Sequence, residues 1–112
     1  MTIKAIRLHR QDNVATLLSD AGKHQTVEVI DDNNQRVGSF QTLQAIPFGN
    51  KMALNAIAPE EHIGKAGYNI GIAIRAIPAG ELVHVQNVRS SRVDIPDSII
   101  EQIIQQMRIE TE

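Results

Sequence analysis

Ala45-Ile46-Pro47-Phe48-Gly49 and Ala76-Ile77-Pro78-Ala79-Gly80 are two copies of one pattern, Ala-Ile-Pro-x-Gly. Each runs into an apolar stretch, Lys51-Met52-Ala53-Leu54 after the first and Leu82-Val83-His84-Val85 after the second. Proline pre-sets φ and glycine tolerates φ > 0, so each copy reads as a tight turn entering a strand. A turn-plus-strand unit used twice predicts a small β-rich module with two pseudo-symmetric halves.

Working outward, the N-terminal third offers more short strands. Thr2 to Leu8 alternates, with Ile3 and Ala5 on one face and Ile6 and Leu8 on the other. Val14 to Leu18, Val27 to Ile30 and Arg36 to Phe40 follow, separated by Asp12-Asn13, Asp20-Ala21-Gly22 and Asp31-Asp32-Asn33-Asn34. Asp and Asn bond to their own main chain and tolerate left-handed backbone, which makes these segments turns. The expectation is a meander of antiparallel strands. Between the two repeats, Gly64, Gly67 and Gly71 permit bends or close backbone approach, but the spacing fits no phosphate-binding loop.

The tail differs in kind. Pro96 suits the first turn of a helix, and Ile99, Ile100, Ile103, Ile104 and Met107 recur at helical spacing. An isolated helix of about 12 residues is marginal in water. Its apolar stripe must therefore pack on the chain's own sheet or on another chain, including a second copy.

Composition narrows the function. The 112 residues suit one domain with a modest core. There is no cysteine, which excludes thiolate catalysis, disulfides and Cys-ligated metals. A net charge of −2 and three aromatic residues, Phe40, Phe48 and Tyr68, give no basic face and no stacking platform, so no nucleic-acid partner is expected. No apolar run reaches the roughly 20 residues of a membrane helix, and Met1 to Ala5 lacks a signal-peptide core. A cytoplasmic protein with no membrane partner is expected.

Among the four histidines, His9, His24 and His62 have polar neighbours and read as loop residues. His84 lies in an apolar run and is followed by Gln86-Asn87. If the strand continues, His84 and Gln86 share a face, and with Asn87 they form a polar group at a strand end. A structural histidine and a metal or substrate ligand are both open readings. No serine sits in a nucleophile elbow. Lys51 and Lys65 could bind anions or simply be solvated. Arg89 and Arg92, beside Ser90 and Ser91, could hold a carboxylate or lead into the tail.

Taken in order, these motifs resemble a known pattern. They are Asp12-Asn13-Val14-Ala15, then Ile46-Pro47-x-Gly49-x-Lys51-x-Ala53-Leu54 and Ile57-Ala58. Next come Ile63-x-Lys65-x-Gly67-x-x-Ile70-Gly71 and Ile77-Pro78-Ala79-Gly80-Glu81-x-Val83-His84-Val85-x-Asn87. The chain is similar to the SAF domain of altronate and galactarate dehydratases over roughly residues 3–92. A similar domain forms the small subunit of two-component enzymes such as sulfolactate sulfo-lyase. The resemblance implies a mainly β fold, a β-clip arranged as a small barrel of short strands over residues 1–92, with a helical extension over 93–112.

It also implies a hydro-lyase subunit acting on a sugar acid or related hydroxy acid with a separate, large UxaA-like catalytic subunit. That partner would supply the base and a divalent metal, iron or manganese, with no cofactor bound by this chain alone. His84 would then be the catalytic candidate, and Lys65, Gln86, Asn87, Arg89 and Asn50 would line a substrate site. Two departures matter. Where the family pattern has Gly-His-Lys, this chain has Gly49-Asn50-Lys51; where it has His-x-His-Asn, this chain has His84-Val85-Gln86-Asn87. Amides keep hydrogen bonding but lose titration and metal affinity. The competing expectation is therefore a non-catalytic binding or interaction module that has lost the histidine cluster.

Overall fold

The computed structural model describes residues 2–90 and 95–111. The expected boundary at 92/93, together with Ser91 and Arg92, lies outside the described residues. The strands are β1 (Ile3–Arg7), β2 (Val14–Leu17), β3 (Thr26–Asp31), β4 (Arg36–Gln41), β5 (Lys51–Ala53), β6 (His62–Lys65), β7 (Tyr68–Ala73), β8 (Leu82–Val83) and β9 (Val88–Ser90). One helix follows, α1 (Asp97–Met107). The chain is mainly β, as the repeats predicted.

Six strands form one sheet in the order β4-β3-β1-β2-β5-β8, and three form another, β6-β7-β9. Neither closes into a barrel, so the small barrel expected from the sequence is instead a pair of open sheets. The N-terminal meander also needs correction. β1 pairs antiparallel with β2 but parallel with β3. The parallel register sets Ala5 opposite Val29 and Ile3 opposite Val27, which puts Ala5, Val27 and Val29 into one core. β3 and β4 do form the expected hairpin. The Asp31 side chain accepts from the Asn33 and Gln35 amides, and Asn34 takes φ 61°.

The repeat is deeper than the sequence suggests. Ala21 bridges to Ile46, and Ile57 bridges to Ile77, each pair exchanging two backbone hydrogen bonds of 2.8–2.9 Å. Three residues after each bridging residue the chain adopts positive φ, at His24, Gly49, Glu60 and Gly80. The same turn thus occurs four times, in two interlocked pairs. The two Ile-Pro copies contribute one turn to each pair, which is the origin of the pseudo-symmetry.

Two cores result. The first contains Ala15, Leu17, Val27, Val29, Ile46, Met52 and Leu82; the second contains Val14, Ala53, Ile57, Ile63, Ile77 and Val83. Side chains alternate along a strand. Neighbours on the short strands β2, β5 and β8 therefore serve different cores: Val14 against Ala15, Met52 against Ala53, Leu82 against Val83. Burying these aliphatic side chains gives about 1.5–3 kcal/mol each relative to exposure, before entropy is counted.

The tail stripe packs within the chain. Ile104, Met107 and Ile109 lie on the first core. Pro96 occupies the N-cap position with its carbonyl accepting from Ile99 and Ile100, and Arg108 ends the helix in left-handed conformation. Among the described residues no helix is long and apolar enough to cross a membrane.

Candidate functional site

β5 and β8 pair with Lys51 opposite Val83, and Lys51 shares the face of Ala53 that looks toward the second core. This register brings the Lys51 side chain to the rim of that core, beside the residue that follows Val83. That residue is His84. β9 pairs with β7 and delivers Arg89 and Ser90 to the same place. A pocket of about 140 Å³ opens there, with Lys51, His84, Arg89 and Ser90 as its polar lining. Ile70, Val88 and Ile100 contribute apolar wall.

The electrostatics are one-sided. Burial, with the Lys65 charge second, pushes the Lys51 ammonium below its ordinary value. Burial, with the Lys51 charge second, likewise lowers His84. No carboxylate lines the pocket among the described residues. Two cationic side chains, Lys51 and Arg89, beside a neutral-leaning imidazole attract an anion, and a partly desolvated charge binds an oxyanion more strongly than one in water. Arg89 is held in place because its Nη1 donates to the Val85 carbonyl at 2.6 Å and to the Val88 carbonyl at 3.3 Å.

The other candidates divide differently. β8 ends at Val83, so His84 and Gln86 do not share a strand face. The chain turns instead, and the His84 carbonyl accepts from the amides of Asn87 and Val88. The expected polar group at the strand end is therefore turned inward. Asn87 is fully buried; its Nδ2 donates to Glu81 Oε2 and to the Leu82 carbonyl, and its Oδ1 accepts from the His84 amide. Gln86 is buried with Nε2 on the Leu82 carbonyl, while its Oε1 has no partner among the described residues. Asn50 closes its own turn through the Pro47 and Phe48 carbonyls. These amides shape the loop that carries His84 and the turn that precedes Lys51. Lys65 lies near enough to depress Lys51 but does not line the pocket.

Lys51, a possible anion binder or a solvated lysine from the sequence, was not among the expected substrate-site residues. Its signal was the strand after the first Ile-Pro turn, but only the β5–β8 pairing brings it to His84. Asp12-Asn13, read as a turn, does more. The Asp12 carboxylate accepts from the amides of His9, Ala66 and Gly67, and Asn13 bonds the Gly64 amide and the His62 carbonyl. Together they pin the β6–β7 hairpin, and so Lys65, against the first sheet.

The donor set among the described residues does not suit a divalent metal. Among the described residues His84 is the only imidazole at the pocket and faces an ammonium, and of the Gln86 and Asn87 side-chain amides only the Gln86 oxygen, a weak metal ligand, is left without a partner. No group of three His, Cys, Asp or Glu among the described residues could hold a metal ion.

The family model for the altronate/galactarate dehydratase SAF domain matches residues 3–91. The chain belongs to this SAF-domain family. It is 37% identical over 73 residues to (2R)-sulfolactate sulfo-lyase subunit alpha of Chromohalobacter salexigens, covering 65% of this chain and 76% of that one. It is also 34% identical over 90 residues to altronate dehydratase of Bacillus subtilis and 38% over 91 residues to that of Escherichia coli. Each of these matches covers 80% of this chain but 17% of the dehydratase. The SAF domain thus spans most of a separate subunit in one relative and a small part of a long chain in the others. Helix α1 lies beyond the matched residues.

Proposed function

We propose that this SAF-domain chain is the small subunit of a two-component lyase acting on a hydroxy acid, with a separate large subunit. The observation that carries the reading is the cationic pocket, in which Lys51, His84 and Arg89 converge with no opposing carboxylate among the described residues. Elimination from a β-hydroxy acid requires a base for the proton next to the carboxylate, a cation for the charge that develops, and an acid for the departing group. Among the described residues the pocket offers cations and one imidazole, with no carboxylate base. The base, and any iron or manganese, would come from the large subunit.

In this scheme Lys51 and Arg89 hold the substrate carboxylate. Lys65 adds to the positive field, and His84 donates or accepts one hydrogen bond at the substrate's hydroxyl. Asn87, Gln86 and Asn50 act by positioning. The similarity to a free-standing subunit alpha supports a two-chain arrangement, and the match to dehydratases supports an acid substrate.

The test is co-purification and reconstitution. Tagged chain should recover a larger dehydratase-like protein, and the pair should release water or another leaving group from a hydroxy acid. Full activity of the large chain alone would overturn the proposal.

A further inference from the structure

Ile100 is buried, at 5% exposure, yet it belongs to neither core. It lines the cationic pocket together with Val85, Val88 and Arg89. Ile95, just before the helix, lines the same pocket. The other end of the tail is anchored elsewhere, with Ile104, Met107 and Ile109 on the first core. The tail therefore has two jobs: its C-terminal part docks on the fold and its N-terminal part roofs the pocket.

The pocket stays partly open to solvent, and its volume beside Ile95 and Ile100 is about 140 Å³. A cavity of about 150 Å³ accommodates benzene, roughly six heavy atoms. A three-carbon hydroxy acid has about that size, whereas a six-carbon sugar acid has roughly twice as many heavy atoms. We propose that the segment from Ile95 into helix α1 is a size gate, in which Ile95 and Ile100 restrict the cationic pocket to short hydroxy acids and hold out six-carbon sugar acids. The inference rests on the pocket being the carboxylate site proposed above. It assigns substrate length to a segment outside the residues that match the family, so two members sharing the same cationic residues would differ in substrate length according to their tails.

The experiment titrates the full-length, isotope-labelled chain with D-glycerate and with D-gluconate, following the amides of Lys51, His84 and Arg89 by NMR. Gluconate should bind at least tenfold more weakly than glycerate. Ile100→Ala should reduce that ratio to below threefold by strengthening gluconate binding, and the half-buried Ile95→Ala should act in the same direction should Ile100→Ala fail to fold. Equal affinities in the natural chain, or a ratio that neither substitution changes, would overturn the gate and leave the carboxylate site standing. Absence of any response to either acid would remove the site, and the gate with it.

Discussion

The two copies of the Ile-Pro-x-Gly turn invite one identical substitution with unequal consequences. Gly49 and Gly80 have nearly the same backbone, φ 83° and φ 91°. Left-handed conformation costs an L-residue about 1–2 kcal/mol, partly offset by the roughly 0.5–1 kcal/mol gained when glycine's freedom leaves the unfolded chain. At Gly49 a Cβ would meet nothing within 4 Å. Gly49→Ala should therefore cost about 0.5–1 kcal/mol. At Gly80 the Cβ would fall far inside contact distance of the Gln41 carbonyl oxygen. Relief requires moving a segment whose amide donates to Ala53 at 2.8 Å and whose carbonyl accepts from Leu43 at 3.0 Å. Losing both bonds adds about 2 kcal/mol, for a total of about 2.5–3 kcal/mol. That is a large share of the roughly 5–15 kcal/mol by which a domain is stable. Urea unfolding followed by far-UV circular dichroism reads both variants. If Gly80→Ala loses no more than Gly49→Ala, the steric reasoning is refuted.

Further outcomes follow from the same geometry. Glu60 holds positive φ without being glycine, so Glu60→Gly should be neutral or stabilise by up to about 1 kcal/mol; a loss beyond about 1 kcal/mol in the same unfolding assay contradicts this. Asp12→Ala removes the acceptor of three backbone amides and should cost about 3 kcal/mol, with Asp12→Asn costing less; equal losses would show that the carboxylate is not the clamp. Burial, reinforced by Lys51, holds His84 below its ordinary 6.5, so the folded state takes up a proton at this ring less readily than the unfolded chain. Its contribution is whole above about pH 6.5 and is lost as pH falls toward the folded value. His84→Gln should flatten this acid-side loss; parallel unfolding midpoints for both proteins from about pH 7 to pH 5 would refute it. Lys51→Met should raise the His84 ring titration seen by NMR yet leave it below 6.5, because burial is the larger cause; an unchanged ring would mean that the two groups do not interact.

The sequence carried local structure well and pairing poorly. The strands were legible because their apolar runs end at Asp, Asn, Gly and Pro. Parallel pairing of β1 with β3 was not, since it depends on which apolar faces meet after the chain has crossed over. Two of the four turns were visible as copies because Ile-Pro-x-Gly marks them; Asp20-Ala21-Gly22 read only as a turn, and its kinship to the others was hidden because His24 and Glu60 stand at positive φ where the copies have glycine. At the site, His84 stood out as an imidazole in an apolar run. Lys51 did not, because a lysine at a strand start is commonplace until a neighbouring strand fixes its surroundings. Asn87 and Gln86 looked like ligands because a sequence shows which groups can bond but not what they bond to. Here the Leu82 carbonyl claims both amides.

The alternation of neighbours on β2, β5 and β8 between two cores has a consequence for how the chain can be cut or rearranged. Each half of the repeat borrows an inner wall from strands the other half also needs, so neither half is a detachable module. A shift of one residue in any of these strands would send a side chain meant for one core into the other, and both would be disrupted at once. Split fragments should be silent apart and regain structure only when mixed, and swapping in one half from a relative should succeed only if the three shared strands travel with it.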